Sequence, residues 1–440
     1  MYLTEYLLEN AGPIANLDIS LPFNEDGKPQ PLVLVGVNGS GKSIFISYIV
    51  DALTEFAKTA YQDILVGQQP MYSPYFKITG GINQKVYSEY SIGLLEFSKN
   101  DKKYCYVDKS GNLDPNTYNQ NRRERFQSVA SWTIDQNQKL IAPEDKKAFE
   151  DFFRTNAICY FPPSRKELPH WLNRHSLSDE LKFLIEPKFT ERLGKPIFID
   201  SSVQENKIWL LDVFLDCMME IENVEGNLSV KGNINEKVLL NKSRQNVEII
   251  LKQVLQDNSA KFAVNYRSTN QFRLCITKNN LIAIPSLDAL SSGQSILFNM
   301  FATIIRYADK GDIHKSINLT EIEGIVIIDE IDVHLHTELQ YKVLPKLLKL
   351  FPRVQFIITS HSPLFLLGME EEYGEQGLKI LEMPKGDFIS TERFSEFKHS
   401  FTYYKQTKAY EDELIKTIKP YTRPILITEG KTDAQIIRVA

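Results

Sequence analysis

Gly36-Val37-Asn38-Gly39-Ser40-Gly41-Lys42-Ser43 is the stretch that decides how this chain reads. It satisfies G-x-x-x-x-G-K-[ST] at every fixed position, and its flanks agree with it. The apolar run 32–35 before it reads as a buried strand ending at Gly36, and residues 44 to about 60 after it contain no Pro or Gly and place apolar side chains at helical spacing. Strand, glycine-rich loop and helix in succession make an anion cradle. Backbone N–H groups of Gly36, Asn38, Gly39, Ser40 and Gly41 would face phosphate oxygens at a helix N-terminus, Lys42 would reach the β- and γ-phosphates, and the Ser43 hydroxyl would ligate Mg²⁺. The octapeptide alone could be a solvated turn; the strand and helix around it favour the phosphate reading.

Ile325-Val326-Ile327-Ile328-Asp329-Glu330 is an apolar strand ending in two acids. In that arrangement Asp329 would hold Mg²⁺ through water and Glu330 would polarise an attacking water. Strand ends with acids are as often structural, but this one follows the phosphate loop and precedes a strand, 354–359, that leads into Ser360-His361-Ser362-Pro363. His361, read alone at a strand end, is most commonly a packed or solvated imidazole. His334 and His336, in the segment 332–336, read either as a metal pair or as packed, hydrogen-bonded loop residues. Leu290-Ser291-Ser292-Gly293-Gln294, read alone, is an ordinary loop or helix cap.

The bulk properties narrow the class. A chain of 440 residues exceeds the size at which one core stops growing, so two or more structural units are expected. With 42% hydrophobic and 24% charged residues the composition is that of a globular protein. No apolar run approaches the roughly 20 residues that cross a bilayer, and the N-terminus has no secretion signal, so a cytoplasmic protein without membrane contact is expected. Four cysteines far apart, with no CxxC pair, exclude a disulfide framework and a thiolate zinc site. The net charge of −5 argues against a globally basic nucleic-acid binder and leaves local patches open. Arg122, Arg123 and Arg125 interleave with Tyr118 and Phe126, as a single-strand-binding surface would or as a solvated helix face would.

The middle of the chain has no repeat and no sustained heptads, hence no long coiled-coil arm. Helices are expected over the stretches beginning at Lys207 and Glu236, and strands over 262–284. A strand at 324–328, a helix at about 338–350 and a strand at 354–359 restore α/β order and predict parallel pairing. A charged, helix-like stretch spans 403–418, followed by a linker and an apolar strand at 425–428.

Taken together, these motifs resemble those of ABC-type ATPases of the SMC, Rad50 and RecF kind. Leu290-Ser291-Ser292-Gly293-Gln294 is similar to their LSGGQ signature, with Ser292 in place of one glycine. In that family the signature, at a helix N-terminus, binds the γ-phosphate held by the opposite subunit, which is the role implied for Ser291, Ser292 and Gly293. His361 is similar to the switch histidine, residues 332–336 to the D-loop, and Gln84 to the Q-loop glutamine that senses Mg²⁺. The resemblance implies ATP and Mg²⁺ as cofactors, Lys42, Glu330 and His361 as catalytic groups, and a homodimer or higher homo-oligomer.

Ile425-Leu426-Ile427-Thr428-Glu429-Gly430-Lys431-Thr432-Asp433 is similar to the opening of a Toprim domain, which implies Glu429 and Asp433 as ligands of Mg²⁺ or Mn²⁺ in phosphodiester cleavage. A plain strand and turn is the alternative. Toprim nucleases need a second acidic cluster on a later strand, and the sequence stops at Ala440 before one, so residues 1–440 are expected to hydrolyse ATP without cutting DNA.

The whole arrangement resembles the OLD family (overcoming lysogenisation defect), whose members include nucleases accompanying retrons in phage defence. Ala157-Ile158-Cys159-Tyr160-Phe161-Pro162-Pro163-Ser164-Arg165 is similar to a strand-Pro-Arg element of that family, with Arg165 facing phosphate or a partner; an edge strand stopped by prolines is the other reading. The resemblance implies an α/β fold: an ABC/SMC-like P-loop ATPase head with mixed sheet, a helical insertion and the start of a Toprim domain. Its expected divisions are 1–60, the lobe with the phosphate loop; 61–285, strands and helical insertion; 286–400, signature, Walker B and switch; 401–423, linker; and 424–440, Toprim start. DNA and a defence-system nucleic acid or reverse transcriptase are the implied partners. Two other readings remain: a defence sensor ATPase of the PtuA or PARIS kind controlling a separate effector, and a RecF-like repair clamp.

Overall fold

The structure, a computed structural model, describes residues 1–64, 83–118, 122, 125, 126, 129–165, 193–218, 220–224, 227–231, 234–264, 274–309, 318–394, 413 and 416. The chain forms two compact units, Met1–Thr391 and Glu392–Ala440. Most of the second, including the expected strand 425–428 with Glu429 and Asp433, lies outside the described residues.

In chain order the first unit contains β1 (Tyr2–Ala11), β2 (Ile14–Ser20), β3 (Leu32–Val35), α1 (Lys42–Ala60), β4 (Tyr90–Lys99), β5 (Lys102–Gly111), β6 (Gln138–Ala142), α2 (Lys146–Thr155) and β7 (Ala157–Phe161). There follow α3 (Val203–Cys217), β8 (Glu220–Val224), β9 (Asn227–Lys231), α4 (Ile234–Leu255), β10 (Lys261–Val264), β11 (Leu274–Lys278), β12 (Leu281–Ile284) and α5 (Ser292–Ala308). The last third holds β13 (Glu323–Ile328), a π-helical turn (Leu339–Val343) running into α6 (Leu344–Lys349), β14 (Arg353–Thr359), α7 (Pro363–Tyr373), β15 (Lys379–Glu382) and β16 (Asp387–Ile389).

Six strands form the central sheet in the order β16-β15-β3-β14-β13-β7. All pairings from β15 to β7 are parallel, and β16 alone runs antiparallel, as an edge. The continuous apolar runs are explained by this position, since strands covered on both faces lose the alternation of a half-exposed strand. Parallel alignment also brings the ends of β3, β13, β14 and β7 to one edge, where open α/β sheets bind ligands.

A second sheet, β2-β1-β4-β5-β6, is antiparallel. Its strand β2 alternates as a half-exposed strand does, with Leu17 and Ile19 buried and Asp18 and Ser20 exposed. Helix α1 lies in the core that both sheets share: Phe45, Ile49, Leu53 and Phe56 join Tyr6 and Leu8 of one sheet and Leu34 and Ile327 of the other. Each such side chain contributes about 2 kcal/mol by burial. The ring of Tyr6 stacks on Phe45 at 4.1 Å. The sheets are also tied by hydrogen bonds, Leu3 N–H donating to Gln355 Oε1 at 2.9 Å and Gln355 Nε2 returning to Leu3 O at 2.8 Å. The helix that follows the phosphate loop is thereby fixed to both lobes.

The insertion packs α3 and α4 against α5. Asn206, fully buried, donates to Asn299 O at 2.9 Å and Thr303 Oγ1 at 3.1 Å, locking α3 to α5. The helix expected from Lys207 ends sooner than its apolar content suggests: Glu220–Val224 pairs antiparallel with Asn227–Lys231 as a hairpin. Glu225-Gly226, the residues between those strands, are a turn signal that outweighs helical periodicity. Cys105, Cys159 and Cys275 are buried and Cys217 half-buried, none of them in a disulfide among the described residues. Among the described residues no helix is long and apolar enough to cross a membrane.

Candidate functional site

The loop after β3 is built on three glycines in conformations other residues avoid: φ is 150° at Gly36, 80° at Gly39 and 95° at Gly41, which caps α1. A Cβ on Gly36 would stand 2.6 Å from Ser40 Oγ and 2.7 Å from Met383 O, so the tight turn requires glycine there. Lys42 curls back over the loop, its Nζ donating to Gly36 O at 2.8 Å and Val37 O at 3.2 Å. Burial lowers its pKa, and Asp329, Glu330 and Asp332 oppose that shift. Ser40 Oγ is buried with no hydrogen-bond partner, an unmet group that a phosphate oxygen would satisfy. Asn38, Gly39 and Ser43 face outward.

Asp329 is 2% exposed at the end of β13. Its Oδ2 accepts from Ser43 Oγ at 3.0 Å and its Oδ1 from Thr359 Oγ1 at 2.5 Å. A hydroxyl and a carboxylate are the hard oxygen donors Mg²⁺ prefers, so Ser43 and Asp329 fit such an ion by chemistry and would hold it, Asp329 through water.

Glu330 follows in the left-handed region, φ 50°, which costs a residue with a Cβ about 1–2 kcal/mol. Two side chains hold it there. Its N–H donates to Thr359 Oγ1 at 2.7 Å, and its carbonyl accepts from Arg165 Nη2 at 2.8 Å. Arg165 Nη1 also donates to Asp329 O at 2.7 Å and Pro162 O at 3.0 Å. The expectation that Arg165 faces phosphate or a partner is therefore corrected: the guanidinium is buried against main-chain carbonyls, at the end of an edge strand that Pro162 and Pro163 stop.

His361 presents an exposed imidazole on a fixed backbone. Asp332 Oδ1 accepts from His361 N at 3.1 Å and Ser360 Oγ at 2.7 Å. Gln340, in the π turn, donates to Asp332 O and Leu335 O and accepts from Ser362 Oγ at 2.5 Å, so segment 332–336 and the loop after β14 are tied together. His336 Nδ1 accepts from Glu338 N at 3.3 Å, in keeping with a hydrogen-bonded loop residue, and among the described residues no group of three His, Cys, Asp or Glu could hold a metal.

Ser291 caps α5 in a reciprocal box, its Oγ accepting from Gln294 N at 3.4 Å while Gln294 Oε1 accepts from Ser291 N at 3.2 Å. Ser292 is the first helical residue and has no positive φ, so serine replaces glycine there without strain. Gly293 is buried, where a Cβ would meet His334 O at 3.3 Å. Among the described residues, 291–293 make no hydrogen bond to the loop 36–43 of the same chain. Gln84 donates to Ser88 O at 2.6 Å beside a bridge to Ala11, and it is not hydrogen-bonded to Ser43, Asp329 or Glu330.

The described part of the basic cluster is engaged within the fold, and Arg123 lies outside the described residues. Arg122 pairs with Glu9, and Arg125 with Glu5 and Asp18, while Tyr118 and Phe126 are buried beside Trp132. Thr359, Asp332 and Gln340 are the functional neighbours that motif reading passed over. Thr359 alone carried a signal, as the polar end of an otherwise apolar strand.

Residues 32–367, more than half of the 440, match the family described as "AAA domain, putative AbiEii toxin, Type IV TA system". The chain belongs to that family. The AAA domain is similar to the retron Ec83 probable ATPase of Escherichia coli, 40% identical over 90 residues, which are 20% of this chain and 16% of that one. It is also similar to the Septu protein PtuA of Bacillus thuringiensis, 30% identical over 152 residues, 29% of this chain and 37% of that one. This AAA domain thus spans 16% and 37% of the lengths of these two relatives. The SMC head domain from Thermotoga maritima is similar with a TM-score of 0.40 at 13% identity, covering 89% of this chain and 98% of that chain.

Proposed function

We propose that this chain binds and hydrolyses ATP as a head-to-tail dimer and, within a defence system, uses that cycle to control an effector. One observation carries the proposal: Lys42, Ser43, Asp329, Glu330 and His361 come from three strand ends of one sheet, while 291–293 stand at the start of α5 without a hydrogen bond to their own phosphate loop. Loop N–H groups and Lys42 bind the β- and γ-phosphates, and Ser43 and Asp329 hold Mg²⁺. Bound Mg²⁺ neutralises charge gathering on the phosphates. Glu330, whose carboxylate accepts no hydrogen bond from a described residue, orients the attacking water and takes its proton. His361 donates to the γ-phosphate, and Ser291, Ser292 and Gly293 of the second protomer close the site from outside.

The defence setting is supported by the likeness to a retron ATPase and to PtuA, which favours an effector on a separate chain. A second reading is favoured by the sequence at 425–433: the effector is a Toprim nuclease of the same polypeptide, with Glu429 and Asp433 as metal ligands and DNA as substrate. Light scattering with Mg²⁺ and ATP tests the dimer. Glu330→Gln, which binds without turning over, should accumulate as a dimer, whereas a protein that stays monomeric in both forms and releases no phosphate would refute the proposal. Metal-dependent nicking of DNA, lost in Glu429→Ala with ATP hydrolysis intact, would select the nuclease reading.

A further inference from the structure

Arg165 lies outside every phosphate-binding motif, yet the residue is only 6% exposed and its guanidinium reaches 164 positions along the chain to the two residues on which hydrolysis rests. Glu330 sits in a conformation that its own main chain does not favour, and its two backbone polar groups are each tied to a side chain from another strand end: N–H to Thr359 of β14, carbonyl to Arg165 after β7. The second guanidinium nitrogen fixes the preceding carbonyl, of Asp329, and the carbonyl of Pro162. Remove that fork and the turn is left to Thr359 on the N–H and to Val333 N on the carbonyl at 3.1 Å, a weaker hold against relaxation of φ from 50° toward negative values, a rotation about N–Cα that swings the Glu330 carboxylate away from its place.

We propose that Arg165 is a positioning residue for ATP hydrolysis, its planar fork holding the main-chain turn that aims Glu330. The inference rests on the ATPase reading of Glu330 given above. It separates hydrolysis from binding, because Arg165 makes no hydrogen bond to the loop 36–43 among the described residues. It also separates arginine from lysine, since a single ammonium on a flexible stem does not bind two adjacent carbonyls in one plane. Arg165 lines a cleft with Phe161, Ile199, Asp200, Ile296 and Met300, and its Nε is buried without a hydrogen-bond partner. Ile296 and Met300 belong to α5, the helix that begins with the signature, so the fork is seated between the Walker B turn and the element that answers the second nucleotide. The cleft provides an entry for a small planar cation when the side chain is removed.

The test compares wild type, Arg165→Lys and Arg165→Ala for phosphate release, affinity for a fluorescent ATP analogue with Mg²⁺, and melting temperature. Turnover should fall about 10- to 100-fold in both variants, the scale of a catalytic group displaced by an ångström, with analogue affinity unchanged. Millimolar guanidinium should restore part of the turnover of Arg165→Ala, and methylammonium should not. Should Arg165→Ala fail to fold, the turnover and affinity of Arg165→Lys decide alone. Full turnover in Arg165→Lys overturns the proposal, as does a parallel loss of turnover, affinity and melting temperature without guanidinium rescue. An inactive wild-type protein would instead refute the ATPase reading and this inference with it.

Discussion

Ser43 Oγ donates to Asp329 Oδ2 over 3.0 Å, joining the first turn of α1 to the end of β13 across 286 positions of sequence. The contact brings a neutral hydroxyl against a carboxylate, while Thr359 holds the other carboxylate oxygen and prevents the side chain from turning away. Asp329→Asn keeps the shape and removes the charge. Mg²⁺-dependent affinity for an ATP analogue should drop roughly tenfold or more, about 1.4 kcal/mol or above, while the weak affinity in EDTA stays the same. Titration in both buffers checks this, and an unchanged Mg²⁺ effect would remove Asp329 from the metal site.

Glu330 separates activity from stability. Because its φ of 50° suits glycine, Glu330→Gly should match or exceed the stability of wild type by up to about 1 kcal/mol, yet lose turnover about 100-fold or more with the general base gone. Glu330→Gln should lose turnover without the stability gain. Chemical denaturation and phosphate release measured on the same samples check both halves; a clear destabilisation by glycine would mean the backbone there is not strained.

Gly324 opens β13 against β7. A Cβ at this position would lie 1.9 Å from Ala157 O, and the neighbour is main chain in a register set by Ile325 against Ile158 and Val326 against Cys159. Gly324→Ala should therefore cost about 3 kcal/mol, the upper end for overpacking, and lower the melting temperature by several degrees. A variant as stable as wild type would show that β7 is free to move away.

The Asp108 carboxyl is pushed up to about 7, by burial first, with Lys139 pulling it down and Asp51 and Glu55 adding to the rise. An unfolded aspartate titrates at about 3.9, so between about pH 4 and pH 7 the folded chain keeps a proton that the unfolded chain has lost. The contribution of Asp108 to stability is present at low pH and is lost as pH rises through 7. Asp108→Asn should flatten the fall of melting temperature over that window and leave the variant more stable than wild type above it. Superimposable pH profiles of the two proteins would exclude the effect.

Much of the site is legible because its motifs are local. Gly36 to Ser43, Asp329 with Glu330, and Ser291 with Gln294 each carry their geometry within a few residues, as tight turn, strand end and capping box. What one sequence does not reveal is pairing over distance. Arg122 and Arg125 look available until β1 and β2 bring Glu9, Glu5 and Asp18 against them. Arg165 looks like a phosphate ligand until the parallel pairing of β7 with β13 turns its fork onto two carbonyls. The hairpin at Glu220–Val224 is hidden for a different reason: its two apolar residues, Ile221 and Val224, stand at the i, i+3 spacing of a helix face.

The central claim is that each ATP is hydrolysed between two chains, Lys42 from one and Ser291 from the other. Two inactive variants, Lys42→Ala and Ser291→Arg, carry their defects on opposite sides of that site, so a mixed dimer retains one site with both halves intact. Phosphate release is measured for each variant alone and for an equimolar mixture allowed to exchange subunits. The expected result is almost no turnover from either protein and turnover from the mixture well above their sum. Normal turnover by Ser291→Arg alone, or a mixture no more active than its components, would contradict the composite site.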